Sequence, residues 1–199
     1  MQIFPKFFEG NEYFIDEKVN LFKFENDYKI YDGTGQQIGN IKQKISLGFK
    51  LLRLLINKAM MPFSLDILDI NGDIQAVISR GWTFWMSKIT VSDSQGVPLG
   101  MIKQKFTFLK PNFLIFNELD IKIAEINGDW KAWSFTISND NGNTIGTIDK
   151  KWAGAMQEIF TSADKYNVSI DPAVTENKNK IIIVATAITI DMVLKESKN

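Results

Sequence analysis

The chain predicts a mainly β fold, an antiparallel meander closed as a barrel. Two observations carry this: one hairpin pattern recurs three times in 199 residues, and the runs between turns alternate apolar and polar side chains with the period of a strand. Residues 28–45 read YKIYDGTGQQIGNIKQKI, residues 89–106 ITVSDSQGVPLGMIKQKF, and residues 135–152 FTISNDNGNTIGTIDKKW. Each is an alternating strand, a turn of Asp, Asn and Gly, and a second strand opening near Ile-Gly or Leu-Gly. Many short strands with closely spaced turns make a sandwich or a barrel. A period of about 50 residues also occurs in propellers, but three uneven copies are too few blades.

The turns come first. Gly35, Gly96 and Gly142 stand where a tight hairpin needs positive φ. A second shared glycine (Gly39, Gly100, Gly146) falls inside a strand, which marks a bulge or a close approach of core. ILDINGD at 67–73 and IAEINGD at 123–129 add two Asn-Gly pairs, the strongest short hairpin signal, and so predict turns at Asn71-Gly72 and Asn127-Gly128. In residues 130–137, Trp130, Ala132, Ser134 and Thr136 share one strand face and Lys131, Trp133, Phe135 and Ile137 the other.

Two segments break the meander. Residues 47–59, LGFKLLRLLINKA, have helical periodicity, with Lys50, Arg53 and Asn57 on one side and Leu51, Leu52, Leu55, Ile56 and Ala59 on the other. Residues 181–194, IIIVATAITIDMVL, are apolar until Asp191 and rich in β-branched residues, so propensity alone reads a buried strand. As a helix the segment would be apolar on every side, a form that requires complete burial.

Composition excludes more than it assigns. The chain has 23 basic and 23 acidic residues and contains neither histidine nor cysteine. That removes Ser-His-Asp and Cys-His machinery, imidazole and thiolate metal sites, and disulfides. Zero net charge and only two arginines, Arg53 and Arg80, argue against nucleic acid as a partner. The first residues, MQIFPKFFEGNEYF, do not read as a signal peptide, and no apolar run reaches the roughly 18 residues of a span. The expectation is one cytoplasmic domain over 1–199, peripheral to a membrane at most, with no cofactor.

The last third of the chain carries a resemblance. Gly142-Asn143-x-Ile145-Gly146 is followed by Lys151-Trp152-x-Gly154 with Glu158, then Phe160-Thr161-x-Ala163-Asp164 with Tyr166, and finally Ile190-Asp191 in the apolar segment. In order and spacing this resembles the phospholipid scramblase and LURP-one-related group of the Tubby-like superfamily. The resemblance implies a closed barrel of about twelve antiparallel strands around a central hydrophobic C-terminal helix, which overrules the strand propensity of 181–194. Fourteen residues make a helix of about 21 Å, short of a hydrocarbon core of about 30 Å but suited to a barrel axis. The core helix is expected at about 180–194, with Ile182, Ile183, Ala185, Thr186, Ile190 and Asp191 as its structural residues. The family's proline-rich extension and acylated cysteine cluster have no counterpart in these residues. Of its proposed calcium segment only Asp164 carries over, with Ser162 where an acid is usual, and calcium wants six to eight oxygens.

The turns Asp69-x-Asn71-Gly72-Asp73 and Asn139-Asp140-Asn141-Gly142 lack the distal Glu of an EF-hand and are explained as hairpins. The five tryptophans, Trp82, Trp85, Trp130, Trp133 and Trp152, read as core or barrel-rim packing. The repeated Ile-Lys-Gln-Lys places Lys42 with Lys44, and Lys103 with Lys105, on strand faces. These read either as solvated positions guarding a strand edge or as a phosphate-binding patch. The 47–59 stripe either plugs one end of the barrel or lies on an anionic membrane through Lys50, Arg53 and Lys58. The functional expectation is a non-enzymatic module that binds lipid or a membrane surface through Lys50, Arg53, Lys58, Lys42, Lys44, Lys103 and Lys105. A protein-interaction or scaffold module with no lipid activity is the alternative; no carboxylate pair nominates an enzyme.

Overall fold

The computed structural model describes residues 6–18, 27–44, 60–83, 87–105, 112–129, 131, 133–150 and 165–196. Twelve strands run in chain order around a closed barrel: β1 Glu12–Lys18, β2 Asp27–Asp32, β3 Gln37–Lys44, β4 Phe63–Asp69, β5 Ile74–Arg80, β6 Lys88–Asp93, β7 Pro98–Lys105, β8 Asn112–Asn117, β9 Lys122–Asp129, β10 Ser134–Asn139, β11 Thr144–Asp149 and β12 Lys165–Ile170. Each strand pairs antiparallel with its neighbours in sequence, and β1 closes the ring against β12 with Tyr13 opposite Val168. Closure leaves no strand edge, so the lysines of Ile-Lys-Gln-Lys have none to guard.

Five hairpin turns share one plan. In each, an Asx at position i (Asp32, Asp69, Asp93, Asn117, Asn139) accepts on Oδ1 the backbone N–H groups of i+2 and i+4 at 2.9–3.1 Å. Position i+3 takes positive φ, supplied by Gly35, Gly72, Gly96 and Gly142 at φ 80–91° and by Asp120 at φ 58°. The strand register shifts by one residue beside each turn, the signature of a glycine-type bulge. Asn127-Gly128 is not a turn. Both residues pair in the ladder, opposite Thr136 and Phe135, and the β9–β10 connection lies beyond Asp129. A Cβ on Gly128 would meet the Phe135 ring at 2.6 Å, so this glycine makes room for an aromatic neighbour.

The interior is filled by one helix, α1, Asn177–Glu196, 20 residues long. Every residue from Lys180 to Val193 is buried, and the expected core residues Ile182, Ile183, Ala185, Thr186, Ile190 and Asp191 all lie inside the barrel. Burial on all sides thus overrides the strand propensity of this segment. Thr186 gives its hydroxyl to the carbonyl of Ile182 at 2.7 Å, so its polar atom needs no partner from the wall. The in-strand glycines set the fit. A Cβ on Gly100 would lie 2.7 Å from Ile182 Cδ1, and one on Gly39 2.7 Å from the ring of Phe7, beside a 3-10 turn at Lys6–Phe8. Among the described residues no helix is long and apolar enough to cross a membrane.

Candidate functional site

In a meander of this kind every second connection falls at the same end. The five tight turns and the entry of α1 share one end, here the turn end. The remaining connections, 19–26, 45–62, 81–87, 106–111, 130–133 and 150–164, leave from the other, the loop end.

Charge is sorted along this axis. At the turn end stand Asp32, Asp69, Asp73, Asp93, Glu118, Asp120, Asp140, Asp171 and Glu176, against Lys6 and the buried Lys180, with Lys122 and Lys178 drawn into ion pairs with Asp140 and Glu118. The loop end carries Lys42, Lys44, Lys88, Lys105, Lys131, Lys150 and Lys165, against Asp16, Asp66, Asp129 and Asp149. A chain of zero net charge is therefore electrically polar as a molecule.

The predicted lysines divide into two places. Lys42 and Lys44 are exposed on the outer face of β3, and Lys103 and Lys105 point outward on β7, four strands away. The structure does not bring the two pairs together. It brings instead Lys88, which sequence reasoning missed, directly opposite Lys103 across the β6–β7 ladder. The signal that could have found it is the 93–97 turn, which fixes the hairpin register and, followed five residues back along β6, sets Lys88 against Lys103. Lys44 bonds Asp66 at 2.7 Å, while Lys103 bonds Asp120 at 2.6 Å and lies 4.0 Å from the centre of the Phe116 ring. Lys42, Lys88 and Lys105 are exposed. Lys50, Arg53 and Lys58, and the calcium candidate Asp164, lie outside the described residues.

Beneath the loop end, α1 brings a carboxylate into the barrel. Asp191, 1% exposed, accepts a hydrogen bond from the Tyr28 hydroxyl at 3.2 Å. Tyr166, fully buried, has its hydroxyl pushed well above its ordinary pKa by burial and then by the charge of Asp191. Trp133 stacks beside Tyr166 with ring centres 5.3 Å apart, and Lys150 caps the Trp133 ring at 4.8 Å. That is the core packing expected of Trp133; Trp82 is half exposed, and the other three tryptophans lie outside the described residues. At the turn end the buried Lys180 ammonium donates to the carbonyls of Glu9 and Gly10 and to Asn11 Oδ1, at 2.8, 3.3 and 2.7 Å, and so ties the helix to the N-terminal segment. The Tyr13 hydroxyl, which donates to the Gly10 carbonyl, is raised by burial and then by Glu9.

The scramblase family model matches residues 15–197. Phospholipid scramblase 1 of Homo sapiens is 27% identical over 150 residues, 68% of this chain and 47% of that protein. Its Mus musculus counterpart is 26% identical over 194 residues, 90% of this chain and 58% of the relative. Altered inheritance rate of mitochondria protein 25 of Saccharomyces cerevisiae is 21% identical over 174 residues. The chain spans about half the length of these relatives. A crystal structure of an Arabidopsis thaliana protein superposes with a TM-score of 0.53 at 10% identity, covering 92% of this chain and 94% of that one, a likeness of fold. On a match that runs through β1–β12 and α1, the chain belongs to the scramblase family.

Proposed function

We propose that this barrel is a non-enzymatic module that rests on an anionic lipid surface, loop end down. The observation that carries the reading is the segregation of charge: exposed lysines at one end of the barrel axis and carboxylates at the other orient the molecule in the field of an anionic bilayer. The loop-end connections supply apolar and basic residues for such a surface, among them Lys50, Arg53 and Lys58 in 47–59. Each lysine near an anionic surface contributes about 1 kcal/mol, so a handful suffices for reversible attachment. Kinship with proteins named phospholipid scramblase agrees with a lipid partner. This reading keeps the protein cytoplasmic and peripheral.

Sedimentation with vesicles of graded anionic lipid content, with and without calcium, tests it. Binding is expected to rise with anionic lipid, to fall with salt and to ignore calcium. The triple substitution Lys42→Glu, Lys88→Glu and Lys105→Glu should reduce bound protein at least about tenfold at the same lipid content. Binding that is absent at every composition would move the protein to the scaffold alternative.

A further inference from the structure

We infer that the turn-end mouth of the barrel is a binding site for a single-chain amphiphile with a cationic head. A cavity of about 520 Å³ opens there between the β8–β11 hairpins and the segment leading into α1. Its size falls in the range of about 300–1,000 Å³ that holds one small ligand. The floor is apolar: Ile115 and Ala124 from the wall, Ile145 from β11 and Ile183 from the central helix. The β8–β9 turn next to it exposes Leu119 and Ile121, 72% and 56% accessible, an apolar approach for an aliphatic chain.

The rim selects the head. Asp171 and Glu176 both line the cavity, and among the described residues no lysine or arginine does. Lys178, the nearest cation in sequence, is held by both oxygens of Glu118 at 2.8 Å. Asp171 uses Oδ1 to accept the Ala173 N–H at 2.8 Å, and the Glu176 carboxylate accepts a 3.2 Å bond from the Asn179 side-chain amide; neither carboxylate has an ion-pair partner among the described residues. The N-terminus of α1 contributes about half a positive charge nearby, which two carboxylates outweigh. An aliphatic tail on Ala124 and Ile183, with an ammonium between Asp171 and Glu176, satisfies both parts of the cavity. This site lies at the opposite end of the barrel from the proposed lipid surface and takes the opposite head charge, so it stands without that reading.

Calorimetry on the full chain with decylamine, decan-1-ol and decanoate, each below its micelle concentration, tests the site. Decylamine should bind one-to-one and at least about tenfold more tightly than the alcohol or the acid, the scale of one ion pair in a partly desolvated site. Ala124→Phe fills the floor and should abolish binding. Because that change reaches the core, Glu176→Lys on the exposed rim is the second variant; it should lower the melting temperature by no more than about 4 °C, the scale of one cation placed beside the N-terminus of α1, and reverse the preference towards decanoate. Absence of one-to-one decylamine binding to the unmodified chain overturns the proposal. So do equal affinities for the three heads that Glu176→Lys leaves unchanged.

Discussion

Tyr28 on β2 and Asp191 on α1 meet inside the barrel, the phenol donating to the carboxylate at 3.2 Å across 163 residues of sequence. The pair lies in the core, where a hydrogen bond to a charged group is worth about 1.5–3 kcal/mol. Tyr28→Phe should lower unfolding free energy by about that amount, read as a fall in the urea midpoint at constant slope. Tyr166→Phe is the contrast. Its hydroxyl is buried with no hydrogen-bond partner among the described residues, so its removal should be neutral or stabilising by up to about 1 kcal/mol. Both substitutions keep the ring, so equal losses would show that the Tyr166 hydroxyl contributes as much as the bonded one of Tyr28.

Gly100 decides how closely the helix approaches the wall. An added Cβ would sit 2.5 Å from the Phe116 carbonyl and 2.7 Å from Ile182 Cδ1. The carbonyl belongs to the β7–β8 ladder and cannot yield without loss of pairing. Gly100→Ala is expected to cost about 1–3 kcal/mol by overpacking. Gly100→Ala combined with Ile182→Val, which withdraws the offending methyl, should recover part of that loss in thermal unfolding.

Asp120 occupies the turn position that glycine holds in the other four hairpins. Its φ of 58° is tolerated by Asp more readily than by most side chains. Asp120→Ala should therefore destabilise by about 1 kcal/mol, losing the tolerant side chain and the Lys103 ion pair together. Asp120→Gly relieves the backbone while losing the same exposed pair, so its net change should stay within about 0.5 kcal/mol. Chemical denaturation of the two variants separates backbone from charge.

Lys44 differs from Lys42 and Lys105 because it covers Asp66, whose side chain is 7% exposed and whose Oδ1 is buried without a hydrogen-bond partner. Lys44→Ala leaves that carboxylate without its ion-pair partner and should cost about 1–3 kcal/mol. Lys42→Ala and Lys105→Ala sit on exposed positions and should change stability by less than about 0.5 kcal/mol. Vesicle binding measured on the same three proteins then tells a structural lysine from a surface one.

The repeat in the sequence made the barrel legible because turn chemistry is local: an Asx that caps two N–H groups and a glycine three residues on read directly at 32–35, 69–72, 93–96 and 139–142. The fifth turn, at 117–121, keeps the Asx but has Asp120 for glycine, so its signal was halved. Asn127-Gly128 shows the reverse failure. The dipeptide favours a turn, yet Phe135 opposite Gly128 is a long-range partner that a local reading cannot weigh. The lysines were visible one by one; that Lys88 faces Lys103, and that Lys42 is three strands from the one and four from the other, depends on strand order and register. The sorting of charge by barrel end follows from the same topology, and so did not exist at the level of composition.

Asp32 links a turn to acid stability. Burial raises its pKa, but hydrogen bonds from the Thr34 hydroxyl and from the backbone of Thr34, Gln36 and Gly35 outweigh that, and the net shift is downward. A carboxyl held lower in the folded state than in the unfolded chain adds stability above its unfolded pKa, about 3.9. That contribution is lost as pH falls through this value and on through the folded pKa. Glu118, lowered chiefly by its bond from Lys178, works in the same direction. Asn does the same capping at positions 117 and 139, so Asp32→Asn should preserve the hairpin at neutral pH while removing one titrating group. The expected result is an unchanged urea midpoint at pH 7 and a shallower loss of stability between about pH 4 and pH 2 than in the unmodified protein. A variant that unfolds at neutral pH would show that the negative charge, rather than the acceptor oxygen, holds this turn; an acid limb identical to that of the unmodified protein would place the titration elsewhere.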